Sequence, residues 1–167
     1  VVIPARNEKG NIESAITRMP NFGVPTEILF IEGHSKDGTY EEIKRIVEKY
    51  HRLELPIRSF QQSGEGKVDA VRLGFEKANY ELLMISDADL TMPPEYLKRF
   101  YDAFAEGKAD FINGSRLVYP MEGEAMHKLN KIGNKFFAKF LSFILRSRLT
   151  DSLCGTKVVL KDDYEKF

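Results

Sequence analysis

The chain is poor in the residues that build disulfide frameworks and zinc clusters, and it carries no excess charge of either sign. One cysteine and three scattered histidines among 167 residues exclude an internal disulfide framework and a zinc-type cluster. Lysine plus arginine equals aspartate plus glutamate, at 25 each, so the overall charge favours neither nucleic acid nor an acidic partner. The composition, 43% hydrophobic and 30% charged, is otherwise typical of a globular chain.

Several familiar enzyme motifs are also missing. Residues 64–67 read Gly-Glu-Gly-Lys, but Gln61 and Val68 stand where a phosphate-binding P-loop needs Gly and Ser or Thr. No Gly-x-Gly-x-x-Gly follows the first strand, and the sequence contains no Gly-x-Ser-x-Gly elbow. Cys154 has no persuasive His partner, so we expect a buried thiol there.

Apolar runs alternate with helical patterns over most of the chain. Strands are predicted to end near residue 3 and to span 27–31, 56–60, 82–85 and 109–113, each followed by a loop or helix. This alternation favours a mostly parallel α/β sheet flanked by helices. We expect one domain over residues 1–167, and we interpret it as a piece of a longer protein because it begins inside an apparent strand.

The most informative stretch is Asp87-Ala88-Asp89, which directly follows the apolar run Leu82–Ile85. In an open α/β sheet, ligands bind beyond the carboxyl ends of the strands, where this pair is expected to lie. Two carboxylates suit Mg²⁺ or Mn²⁺, which usually also holds substrate phosphates. The structural alternative is an Asp pair that only caps the turn and the following helix.

Polar loops follow four of the predicted strands. They are Pro4–Glu8, Glu32–Thr39, Asp87–Thr91 and Gly114–Arg116. Because the carboxyl ends of parallel strands gather at one edge, these loops are expected to form a single site. Their carboxylates suit a metal or hydroxyl groups, while Arg6, Lys67 and Arg116 suit phosphates. Taken singly, each cation is better explained as a solvated surface charge.

Residues 125–148 form one long helical pattern with two distinct faces. The basic face carries Lys128, Lys131, Lys135, Lys139 and Arg146, and the apolar face carries Leu129, Ile132, Phe136, Phe140 and Phe143. This pattern predicts either an amphipathic helix at a membrane surface or a soluble helix packed on the sheet. The apolar run of residues 136–145 is too short and interrupted to span a bilayer.

With these residues in view, the chain resembles the inverting family 2 glycosyltransferases of the GT-A fold, and most closely their dolichol- or polyprenyl-phosphate mannosyl- or glucosyltransferase group. The resemblance covers nearly the whole chain. It rests on Val1–Glu8, Gly66-Lys67 with Ala70-Val71-Arg72, Asp87-Ala88-Asp89-Leu90, Gly114-Ser115-Arg116, Asp151 and Cys154-Gly155-Thr156-Lys157.

The resemblance implies roles for individual residues. Nucleotide-sugar contacts are implied for Pro4, Arg6, Glu8, Glu32, Lys67, Asp87, Ala88, Arg116 and Lys157; metal contacts for Asp87, Asp89 and Thr91; catalytic roles for Asp89, Arg116 and Asp151. The chain departs from the family at two places. Glu32-Gly33-His34 stands where Asp-Asp-Gly is usual, and Thr91 stands where close relatives often have Gln.

The activity implied is transfer of a hexose from a GDP- or UDP-linked sugar to a polyprenyl or dolichyl phosphate, with Mg²⁺ or Mn²⁺, on the cytoplasmic face of a membrane. With a hydroxyl acceptor on a glycan a general base is needed, and Asp151 is the candidate. Two further alternatives are an aspartyl-phosphate-type hydrolase that uses Asp87 and Asp89, and a domain that binds nucleotide sugar without turnover.

Overall fold

The computed structural model describes residues 1–51, 55–114, 139–140, 142–144 and 154–166. Its strands are β1 (Val2–Ala5), β2 (Ile28–Glu32), β3 (Ile57–Gln61), β4 (Leu82–Ile85), β5 (Phe111–Asn113) and β6 (Lys157–Leu160). Its helices are α1 (Ile12–Thr17), α2 (Thr39–Lys49), α3 (Gly66–Lys77), α4 (Leu97–Ala105) and a final helical turn Lys161–Tyr164; two 3₁₀ turns, Lys9–Asn11 and Pro94–Tyr96, precede α1 and α4.

The six strands form one sheet in the order β3-β2-β1-β4-β6-β5. Strands β1 to β4 run parallel, whereas β6 is antiparallel to both β4 and β5. The chain moves outward from β1 through β2 to β3 and then returns to place β4 on the other side of β1. This reversal opens a crevice between the carboxyl ends of β1 and β4, which is where an α/β sheet characteristically binds its ligand.

The central strands are apolar on both faces because helices cover both sides of the sheet. Every residue of β2 is buried, from Ile28 to Glu32. On one face, Ile43 and Ile46 of α2 pack with Ile3 and Phe30; on the other face, Phe75 of α3 belongs to a cluster built around β1, β2 and β4. The core therefore fixes the strand ends that carry the polar loops.

The mixed α/β sheet confirms the predicted fold class, and it adds a strand that the sequence patterns did not predict. Residues 157–160 form β6, which enters between β4 and β5 and runs against them. Within the described residues, no helix combines the length and apolarity needed to cross a bilayer. Most of the predicted helix 125–148 lies outside the described residues; 139–140 and 142–144 are helical.

Candidate functional site

A polar groove lies at the carboxyl edge of strands β1 to β4. It is lined by Pro4, Ala5, Arg6, Glu8, Gly33, Gln62, Gly66, Lys67, Asp87, Ala88 and Asp89, together with Ile31 and Ala70 at its floor. Seven of the residues predicted from sequence therefore meet in one place, as expected for loops at one edge of a parallel sheet. The strand order places Asp87 at one end of the groove and Gln62 at the other.

Asp87 and Asp89 are presented by a tight turn after β4. The Ser86 amide donates to the Val2 carbonyl at 3.0 Å, which carries the pairing with β1 one residue past the strand. The chain then turns through Leu90, whose φ of 54° is left-handed. The Leu90 amide donates to the Asp87 carbonyl at 3.2 Å and the Thr91 amide to Asp89 Oδ1 at 2.9 Å. The turn holds both carboxylates beside the crevice.

The donor chemistry of this turn fits a divalent cation. Carboxylate oxygens are the hard ligands that Mg²⁺ and Mn²⁺ prefer, and such ions commonly keep waters and substrate phosphates as their other ligands. Within the described part of the chain, no group of three or more His, Cys, Asp or Glu side chains could hold a metal ion. Asp87 and Asp89 would therefore supply only some of the ligands of a metal ion, and waters, substrate phosphates or other groups would supply the rest.

Lys67 neutralises Asp87. It lies in the first turn of α3, which begins at Gly66 with a positive φ of 84°, and its ammonium donates a hydrogen bond to Asp87 Oδ1. Gly155 covers the same pair, because a Cβ built there would fall far inside van der Waals contact with the Asp87 carboxylate and Lys67 Nζ. Since β6 runs against β4, the segment before it lies at the same edge as Asp87.

The loops after β1 and β2 are joined by hydrogen bonds. The Asn7 amide donates to Ser35 Oγ at 2.9 Å and the Glu8 amide to Thr39 Oγ1 at 2.8 Å. In return, the Lys36 amide donates to Asn7 Oδ1 at 2.9 Å. These bonds hold the first loop against the second and set the position of the Arg6 backbone. Arg6 lines the groove, is exposed, and makes no ion pair with any described residue.

Glu32 lies beneath the groove rather than in its wall. Its side chain is fully buried at the end of β2. The Ser35 amide donates to Oε1 at 2.6 Å, and Gln61 Nε2 donates to Oε2 at 2.8 Å. Burial acts to raise the pKa of Glu32, but the hydrogen bonds from Ser35, Gln61 and His34 outweigh it and hold the pKa below its usual range. The predicted contact between Glu32 and the base remains a prediction.

Gln62 is a groove residue that the sequence analysis did not single out. Its side chain is buried, its Nε2 donates to the Gly64 carbonyl at 3.1 Å, and its Oε1 has no hydrogen-bond partner among the described residues. A buried acceptor without a partner is uncommon and suggests a ligand or water as donor. The one sequence feature that could have indicated Gln62 is its position directly after β3, at the edge of the sheet where the other loops were predicted to form a site.

The remaining predicted residues lie elsewhere or are not described. Lys157 Nζ donates to Asn113 Oδ1 at 2.8 Å and to the Cys154 carbonyl at 2.7 Å, so it links β5 to the segment before β6. Cys154 is buried, as expected. Arg116 and Asp151 lie outside the described residues. Thr91 is described, and its backbone amide supports Asp89.

Residues 1–167 match the family described as glycosyl transferase family 2. The chain belongs to this family. The archaeal dolichol-phosphate mannosyltransferase of Pyrococcus furiosus is a relative, 33% identical over 121 residues, which are 71% of this chain and 33% of that protein. The chain thus spans about a third of this relative, and the match supports the resemblance drawn from the sequence motifs.

Two solved structures place this family 2 domain in the GT-A fold. One is the mannosyltransferase PcManGT of Pyrobaculum calidifontis in complex with GDP-Man and Mn²⁺, with a TM-score of 0.57 and 21% identity over 68% of this chain and 34% of that one. The other is S. aureus TarS 1–349 in complex with UDP, with a TM-score of 0.61 and 18% identity over 99% of this chain and 47% of that one. At these identities the likeness concerns the fold.

Proposed function

We propose that this domain transfers a hexose from a nucleoside diphosphate sugar to a lipid phosphate, with inversion at the anomeric carbon and with the help of a divalent cation. The observation that carries the proposal is the Asp87–Asp89 turn at the crevice between β1 and β4, in a groove that also holds Lys67 and Arg6. Family 2 membership and the mannosyltransferase relative support the reaction class.

The groove suits a donor that lies across the strand ends. Gln62 follows β3 and Asp87 follows β4, and the order β3-β2-β1-β4 separates them by three strand spacings, about 14 Å. An extended nucleotide can bridge that distance. The diphosphate would then lie near Asp87, Lys67 and Arg6, with the nucleoside towards Gly33 and Gln62. Asp87 and Asp89 would hold a divalent cation, which would supply positive charge to stabilise the leaving diphosphate.

The proposed reaction exchanges one bond at the anomeric carbon of the donor sugar. The acceptor oxygen forms a bond to the anomeric carbon while the bond to the diphosphate oxygen breaks, and the electron pair leaves with the nucleoside diphosphate. Lys67 and Arg6 would hold the phosphates by charge-assisted hydrogen bonds. A lipid phosphate is already anionic, so it needs no strong general base; a hydroxyl acceptor would need one, and Asp151 is the proposed base.

A lipid acceptor also draws support from the described part of the predicted amphipathic helix. Phe140, Phe143 and Ile144 are spaced i, i+3, i+4 on one helical face, and all three are exposed. An apolar face of this kind suits an interface with acyl chains. The name of the Pyrococcus relative, dolichol-phosphate mannosyltransferase, points to the same acceptor class. We therefore propose that the domain works at a membrane surface, with the cytoplasmic face as the expected one.

Calorimetric titration with GDP and UDP, each with and without Mn²⁺, tests the proposal. We expect one nucleotide to bind more tightly with Mn²⁺ and Asp89→Ala to lose that gain, since a lost hydrogen bond or ligand to a charged group costs about 1.5–3 kcal/mol, roughly ten- to a hundredfold. Asp110→Ala, an exposed Asp outside the groove, is the matched control. Binding of neither nucleotide under any condition would contradict the site assignment.

A further inference from the structure

Lys67 bonds one of the two Asp87 oxygens that a divalent cation could use. Its ammonium donates to Asp87 Oδ1 inside the groove, at the first turn of a helix anchored on the sheet. The Asp87 side chain is 16% exposed and that of Lys67 is 49% exposed. The carboxylate is therefore mostly covered, while the Lys67 side chain is half-exposed and has solvent beside it.

Gly155 limits how Asp87 can be approached. Any side chain at Gly155 would overlap both the Asp87 carboxylate and Lys67 Nζ, so backbone closes one side of the pair. On its other side, the Asp87 Oδ1 atom already accepts the hydrogen bond from the Lys67 ammonium. Two positive charges at the same carboxylate oxygen also repel each other. A metal ion that uses Asp87 Oδ1 therefore competes with Lys67.

A bound nucleotide-sugar donor would give Lys67 an alternative partner to Asp87. Among the described residues, Arg6 and Lys67 are the cations that line the groove, and Glu8, Asp87 and Asp89 are the anions. Without the nucleotide-sugar donor, Lys67 pairs with Asp87. With donor, the diphosphate brings negative charge to the middle of the groove, where a lysine at the start of α3 can bind it as a point charge.

We propose that Lys67 is an exchangeable internal cation, which occupies the place of the metal at Asp87 until the donor diphosphate arrives and then moves to the diphosphate. The inference rests on the proposed function and extends it to the order of binding. The metal alone binds weakly because it competes with Lys67. Metal and diphosphate together bind tightly, because the metal releases Lys67 to bind the diphosphate and the diphosphate draws Lys67 away from Asp87. Such coupling between two ligands is reciprocal.

The test measures Mn²⁺ binding with and without diphosphate in Lys67→Met. Without diphosphate, we expect Mn²⁺, followed by its electron paramagnetic resonance signal, to bind about fivefold or more tightly to the variant than to the wild type. In the presence of Mn²⁺, we expect the variant to bind GDP or UDP about fivefold or more weakly, because the diphosphate has lost a cation. The two effects have opposite signs, which loss of structure does not produce.

Lys77→Met is the matched control, since Lys77 lies at the other end of α3 and pairs with Glu76 on the surface. It should change neither affinity. Thermal unfolding of both variants establishes that they fold. Unchanged or weaker binding of Mn²⁺ alone to folded Lys67→Met would overturn the exchange. If no nucleotide binds the wild type while Mn²⁺ still binds the variant more tightly, the proposed function fails and the displacement of Lys67 by metal stands.

Discussion

A methyl group at Gly155 would meet the ends of two flexible side chains, those of Asp87 and Lys67. Neither end is locked in the core, so both can move aside at small cost to folding, and the backbone of Gly155 does not need a left-handed conformation. The same movement would take Asp87 away from the position that it shares with Asp89. At the scale of single residues, Gly155 therefore matters for binding more than for stability.

We predict that Gly155→Ala weakens Mn²⁺-dependent nucleotide binding by about tenfold or more, while the free energy of unfolding changes by less than about 1 kcal/mol. Calorimetry and urea unfolding on the same preparation measure the two effects. Gly10→Ala is the matched control, because a Cβ at Gly10 meets nothing within 4 Å. Full nucleotide binding in Gly155→Ala would contradict the close packing of Gly155 on Asp87.

At the scale of elements, α3 approaches the sheet at Gly74. A Cβ at this position would fall far inside van der Waals contact with Val2 Cγ1 and lie 3.2 Å from Ile31 Cγ1. Both neighbours are fully buried, so unlike the partners of Gly155 they have nowhere to move. The glycine lets α3 lie close to β1 and β2, and this closeness brings Lys67, at the start of the helix, to Asp87.

Gly74→Ala is therefore expected to destabilise the fold. Overpacking of this kind costs about 1–3 kcal/mol, and the gain in helix propensity returns at most about 1 kcal/mol. With the full propensity gain, these ranges leave a net loss of up to about 2 kcal/mol in the free energy of unfolding, which urea denaturation measures. Gly10→Ala again provides the comparison, with a change within about 0.5 kcal/mol. A stabilised Gly74→Ala would show that α3 lies further from the sheet.

The sequence patterns predicted most of the strands but not the last one. Apolar periodicity located β1 to β5 and the stripe of α2 to within a few residues, because burial on a sheet or a helix face leaves a local signature. The strand β6 was not predicted from sequence. Its four residues are too few to show whether their apolar pattern repeats like a strand or like a helix. Its insertion between β4 and β5 is what brings Gly155 to the groove.

At the scale of the whole molecule, the apolar face of Phe140, Phe143 and Ile144 is exposed in the described part of the chain. We predict that Phe143→Ser lowers co-sedimentation with anionic lipid vesicles by about tenfold, since burying one Phe contributes about 1.5–3 kcal/mol. Phe143 is 83% exposed, so the substitution should leave folding unchanged.

Phe111→Ser is the control for that experiment, because Phe111 is also exposed, at 52%, but lies on β5 at the edge of the sheet. Equal loss of vesicle binding in both variants would mean that general surface apolarity, rather than this helical face, drives the association. No vesicle binding by the wild type would contradict the interfacial prediction for this domain.

The amino-acid sequence by itself determined the alternation of strands and helices, the placing of Asp87 and Asp89 after a buried strand, and the gathering of the loops at one edge. These follow from local periodicity and from the geometry of parallel sheets. Only the tertiary structure decided that Glu32 lies buried beneath the groove, that Gln62 lines it, and that Lys67 and Gly155 meet at Asp87. Those facts depend on strand order and on the closeness of α3 and β6 to the sheet, which bring together residues far apart in the chain and leave no local pattern.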